Sequence, residues 1–129
     1  MRRSILAAVL FLAAPVLPGC LLVAGAAVGA GVVYAAGEDS SEVRVEADAA
    51  RAYSAAREEV ILRGTLQTSD AAGGTLTARI GTSDVTVKVV GEPTENRTRV
   101  TVTARANAGI SPDRDTAERV AVAIVKRLQ

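Results

Sequence analysis

Three runs of strict alternation dominate the second half of the chain. Leu76, Ala78 and Ile80 alternate with Thr77 and Arg79, and Val85, Val87 and Val89 alternate with Thr86 and Lys88. Val100, Val102 and Ala104 alternate with Arg99, Thr101, Thr103 and Arg105. Successive side chains of a strand point to opposite faces, so this pattern demands a sheet with one buried and one wet face. The runs are separated by turn-forming residues, Asp70-Ala71-Ala72-Gly73-Gly74 and Gly91-Glu92-Pro93-Thr94-Glu95-Asn96. A weaker strand is expected over residues 65–69. A short one is expected where Val43 and Val45 alternate with Glu42, Arg44 and Glu46.

Two helices complete the pattern. Asp48 is placed to cap a helix over residues 49–62, with Ala49, Tyr53, Ala56 and Val60 on one face and Arg63-Gly64 as its stop. Ser111-Pro112 predicts the second start, Ser111 as N-cap and Pro112 in the first helical position, with Asp113 and Asp115 in the first turn. Ala117, Val120, Ala121, Ile124 and Leu128 give its inward face. The expected fold is α+β, a two-layer sandwich with two helices on one face of an antiparallel sheet. Its order is β-α-β-β-β-β-α, preceded by an apolar N-terminal segment.

Composition narrows the chemistry. The 129 residues include no Trp, one Phe and two Tyr, so Ala, Val and Gly must fill the core and stability should be modest. The absence of His removes the commonest general base and the commonest zinc ligand. One Cys excludes an internal disulfide framework. Fifteen basic and 14 acidic residues are scattered without a basic stripe, which argues against nucleic-acid binding.

The N-terminus reads as an address. Arg2 and Arg3 precede an apolar stretch over residues 5–17, which is within signal-peptide range and too short to span a bilayer. Leu17-Pro18-Gly19-Cys20 then resembles the bacterial lipobox, with cleavage between Gly19 and Cys20 and a lipid on the Cys20 thiol. Pro18 departs from that pattern, which usually has Ala, Ser, Thr or Val there. Two or three acyl chains, palmitate among them, at about 0.8 kcal/mol per buried CH₂ would hold such a protein on a membrane almost permanently. Leu21, where retained lipoproteins carry Asp, favours the outer membrane with the domain in the periplasm; the inner membrane is the alternative.

Residues 21–36 carry no charge. Gly25 and Gly29, Ala26 and Ala30, and Ala27 and Gly31 are each four apart, which on a helix would line up a small-residue packing face. Three fates stay open for this segment: membrane insertion or self-association, a spacer against the domain, or the second half of an uncleaved anchor. The division expected is residues 1–19 as leader, 20–41 as lipidated Cys and membrane-proximal segment, and 42–129 as α+β domain.

The Gly-Cys pair, the Gly/Ala-rich run, Thr98-Arg99-Val100-Thr101-Val102-Thr103-Ala104 and Pro112-Asp113-Arg114-Asp115-Thr116-Ala117 together resemble a family of short uncharacterised bacterial lipoproteins. That family is a domain of unknown function. The resemblance implies a small α+β domain and an envelope address, and it implies no activity.

Nothing in the chain spells a reaction. Glu58 and Glu59 are adjacent, but neighbours on a helix diverge by about 100° and read as a solvated face. Ser111, Asp113 and Asp115 are explained by a helix start. Arg79, Lys88, Arg99 and Arg105 fall on outward positions of neighbouring strands, as a soluble surface or as a mildly basic face for anionic cell-wall polymer or a partner protein. The expectation is a non-enzymatic envelope lipoprotein without cofactor or metal. Competing readings are an inner-membrane protein with an uncleaved anchor and a small envelope hydrolase.

Overall fold

A computed structural model describes residues 27–28 and 31–129. Two short strands, β1 (Ala27–Val28) and β2 (Gly31–Ala35), lead into β3 (Ser40–Val45) and helix α1 (Ala49–Arg63). Strands β4 (Thr65–Asp70), β5 (Thr75–Ile80), β6 (Ser83–Glu92) and β7 (Arg97–Ala106) follow as a meander. A two-residue strand, β8 (Ser111–Pro112), precedes α2 (Arg114–Arg127). Apart from the two-residue β8, the order from β3 to α2 is the β-α-β-β-β-β-α expected from sequence, and the class is α+β.

The sheet is antiparallel throughout, in the order β1-β2-β3-β7-β6-β5-β4, with β8 on the end of β7. Helix α1 carries the chain from β3 to the far edge. The meander then returns until β7 lies beside β3. Helix α1 covers β4, β5 and β6, while α2 covers β7, β3 and β2, both on the same face.

Alternation sets that face. Val43, Val85, Val87, Val100, Val102 and Leu76 are fully buried, and so are Val60 of α1 and Val120 and Ile124 of α2. Tyr53 is the one aromatic of this core among the described residues; its hydroxyl lies 2.6 Å from that of Ser69. On α1 the buried residues are Ala52, Tyr53, Ala55, Ala56 and Val60, whereas Ala49, expected among them, is exposed at the first turn.

The start of α2 differs from expectation. Asp113, not Ser111, is the N-cap, and its side chain accepts from the Thr116 backbone N–H. Ser111 and Pro112 pair instead with Ala106 and Arg105, and the Asp113 N–H donates to the Ala104 carbonyl. Continuing the sheet for two residues satisfies β7 backbone groups that an earlier helix would leave open.

The apolar segment is described only in part. Gly19, Cys20, Gly25 and Gly29 lie outside the described residues. Ala27 and Gly31, grouped with them on a helical face, lie in β1 and β2, and β2 pairs with β3 from Val32↔Arg44 to Ala35↔Ser41. Gly is a poor helix former and the Val32-Val33-Tyr34 run favours strand, so this stretch extends the sheet.

Of the three described glycines with left-handed backbone, Gly81 and Gly74 hold it for different reasons. At Gly81, φ +59, in the β5–β6 turn, a Cβ would meet nothing within 4 Å. At Gly74, φ +68, a Cβ would lie 2.3 Å from the Val89 carbonyl oxygen. Gly81→Ala should therefore cost about 1–2 kcal/mol, the left-handed penalty alone. Gly74→Ala should cost clearly more. Urea unfolding of the two variants checks this, and equal midpoints would refute the close-approach argument.

Candidate functional site

Cross-strand register places the outward residues in rows. Thr68, Thr77, Thr86, Thr103 and Ser40 are consecutive partners across β4, β5, β6, β7 and β3, forming one line of hydroxyls. Beside it, Asp70, Thr75, Lys88, Thr101 and Glu42 form a second line. On the other side Thr65, Arg79, Asp84 and Arg105 form a third. The four cations singled out from sequence do share this face, but they differ in how they are used.

Arg79 pairs with Asp84 at 2.7 Å across the β5–β6 hairpin. Arg99 lies directly opposite Arg44, and Glu92 lies 3.5 Å from each, separating two like charges. Arg105 clamps a turn: its Nη1 donates to Asp39 at 2.6 Å and its Nε to the Gly109 carbonyl at 2.8 Å. That turn contains Asn107, Ala108 and Gly109, all with positive φ. The Ser40 hydroxyl first, then the Arg105 guanidinium, hold the Asp39 carboxyl below the usual carboxylate range. Lys88, exposed at mid-sheet between Thr75 and Thr101, has no ion pair among the described residues. The sequence reading missed the partners Asp39, Asp84 and Glu92. The Arg79–Asp84 pair was recoverable from a two-residue turn at Gly81-Thr82, whereas Asp39 and Arg105 are 66 residues apart.

On the opposite side, two adjoining depressions of about 570 and 410 Å³ share Arg63 and Arg119. The first lies along α2 with Asp115, Glu118 and Lys126; the second reaches Ser83, Asp113 and Thr116. Asp113 is the one carboxylate here surrounded by hydroxyls. Ser83 donates to it, and Thr116 donates from its hydroxyl at 2.6 Å and its N–H at 3.1 Å. The Ser83 bond, then that from the Thr116 hydroxyl, lower its pKa against a burial effect that raises it. A carboxylate held ionised in this way is a weak proton acceptor, and its bonds are those of a helix cap. Among the described residues no group of three or more His, Cys, Asp or Glu could hold a metal ion.

Glu58 and Glu59 are not simply solvated, as read from sequence. Arg127 of α2 reaches both, Nη1 to Glu58 and Nε to Glu59, each at 2.9 Å. Diverging carboxylates meet on one cation because the guanidinium is a wide fork. Glu59 also accepts from Arg63 at 3.2 Å. The result is a clamp between the helices.

The described residues thus form a two-layer α+β domain whose helix-side polar groups serve caps and clamps and whose opposite face is an open sheet. The chain belongs to a family described as "Protein of unknown function (DUF3568)", which it matches over residues 4–127. No curated protein matches it significantly.

Two outcomes follow from this geometry. Because the folded pKa of Asp113 is lowered, its contribution to stability is present above about pH 4, its unfolded value, and is lost as pH falls through the folded value. Asp113→Asn should flatten the acid limb of a stability–pH profile below about pH 5. An unchanged acid limb would contradict the assignment. For the clamp, Arg127→Met should lower stability by about 1 kcal/mol, and Glu59→Gln should cost more than Glu58→Gln. The ranking follows exposure, the Glu59 side chain being 12% exposed and that of Glu58 60%. Denaturant titrations give the ranking directly.

Proposed function

We propose that this chain is a lipid-anchored protein of the bacterial envelope whose α+β domain is a non-enzymatic interaction module. The observation that carries the reading is Leu17-Pro18-Gly19-Cys20, preceded by Arg2, Arg3 and an apolar run over residues 5–17. A thiol after a small residue at the end of such a run is the chemistry that diacylglycerol transfer and cleavage require. Leu21 after the cysteine supports outer-membrane delivery, with the domain in the periplasm.

The non-enzymatic part is supported by how the acids are used. Asp113 caps α2, and Glu58 and Glu59 hold Arg127. The chain has no histidine to activate Ser83 or Ser111. No helix among the described residues is long and apolar enough to cross a membrane.

Pro18 favours a second reading, an inner-membrane protein that keeps its N-terminal anchor. Intact mass of the membrane-extracted protein, compared with Cys20→Ser, separates the two. The expected wild-type mass lacks residues 1–19 and gains the acyl chains, and the variant shows neither change. Arg2 and Arg3 still present in the wild-type protein would overturn the lipid anchor.

A further inference from the structure

The open sheet face is unevenly satisfied. Around its rim most polar groups are paired with one another: Arg79 with Asp84, Arg99 and Arg44 with Glu92, Arg105 with Asp39, and Thr68 with Thr77, Arg97 being the exception. At its centre, the side chains of Thr86, Thr101 and Lys88 have no hydrogen bond or ion pair within the described residues. Thr86 and Lys88 are exposed and adjacent on the wet side of β6. The outward positions of β3, β5, β6 and β7 carry six cations against three carboxylates, and adding Asp39 and the Asp70 of β4 still leaves the face net positive by one.

We propose that this face binds an acidic glycan strand lying across β5, β6, β7 and β3, over the hydroxyl row and the row of Lys88 and Thr101 beside it. Neighbouring strands are about 4.8 Å apart, close to the advance of one pyranose ring along an extended polysaccharide. Each ring then meets one strand, and the free hydroxyls of Thr86 and Thr101 bond its hydroxyl or acetamido groups. Lys88, one residue beyond Thr86 on that side of β6, meets the carboxylate. The face has no aromatic platform, so the contact is polar and individually weak. Tethering at a membrane beside the polymer compensates by raising effective concentration. The choice of a cell-wall glycan rests on the envelope reading above.

The experiment measures binding of purified full-length protein in detergent to peptide-free glycan strands from bacterial cell wall, with their muramic acid carboxylates intact. Comparators are the same strands with carboxyls reduced to alcohols, and polyglutamate. Wild type should prefer the carboxylated strands. Lys88→Glu, and Thr86→Val combined with Thr101→Val, should each weaken binding about tenfold. Valine keeps the shape and strand preference of threonine, and thermal melts verify the folds. Lys126→Glu makes the same charge change on the outer side of α2 and should leave binding intact. Absence of binding, unchanged binding in the sheet variants, equal loss with Lys126→Glu, or equally tight polyglutamate would each overturn the proposal. The last outcome would point instead to an acidic protein partner. Loss of the glycan result with an acylated Cys20 rejects the surface alone. An unprocessed N-terminus with binding intact rejects the address alone.

Discussion

A one-residue slip of Arg97–Ala106 against either neighbour would turn Val100, Val102 and Ala104 to water and drive Arg99 and Arg105 into the core. This strand is paired on both sides, with Ser40–Val45 and with Ser83–Glu92, and both helices pack on its inner face. Its inward residues join rows that run across the sheet: Val43, Val100 and Val89 in one, Ser41, Val102, Val87 and Leu76 in the next. A third row runs through Ala104, Val85 and Ala78. The first row is all valine and the other two mix small and branched side chains, which leaves a low floor. The helices meet it with Ala52, Ala55, Ala56, Ala117 and Ala121, so a chain poor in aromatics still excludes water by close approach.

Polar side chains settle where the helices sit over that floor. Thr98, buried at the end of its strand, donates to the Ala47 carbonyl at 2.6 Å and ties the approach to α1 to β7. Ser83 and Thr116 both meet Asp113, joining the start of β6 to the start of α2. Arg127 spans from α2 to Glu58 and Glu59 on α1. Exposed ion pairs contribute little free energy individually. Their consequence here is orientation, because they link elements that share few large apolar contacts.

Elements governed by local period were legible in the sequence, and elements governed by partners were not. Alternation of Val85, Val87 and Val89 with Thr86 and Lys88 specifies a half-buried strand in any antiparallel sheet. Nothing local says that β3 lies beside β7, so the Asp39–Arg105 pair and the line of hydroxyls from Thr68 to Ser40 were invisible. The α2 cap was misplaced for a related reason. Ser111-Pro112 is a good local helix start, but pairing with Arg105 and Ala106 offered its backbone a better use. Glu58 and Glu59 diverge on their own helix, and only the crossing of α2 brings a cation to both. The four basic residues were placed on the right face, yet their separate uses rest on Asp84, Glu92 and Asp39, contributed by register and turns.

Threonine and valine have nearly the same shape, so the two faces of this sheet are made from almost the same strand and differ by a hydroxyl in place of a methyl. That exchange lets the outer face keep the β preference of the inner one without exposing an apolar surface. It also means that hydroxyl density alone is no sign of a binding site, since strand formation and solubility account for it. At the centre of the face Thr86, Thr101 and Lys88 lack an internal partner among the described residues, as Arg97 does at its rim. Arg79, Arg99 and Arg105 would have to surrender an ion pair to engage a ligand, while these three would not. Arg105 and Arg79 already hold carboxylates at 2.6 and 2.7 Å, so a ligand there would exchange one contact for another rather than add one. The centre of the sheet is therefore the place where an acidic, hydroxyl-rich polymer meets the least competition from the protein itself.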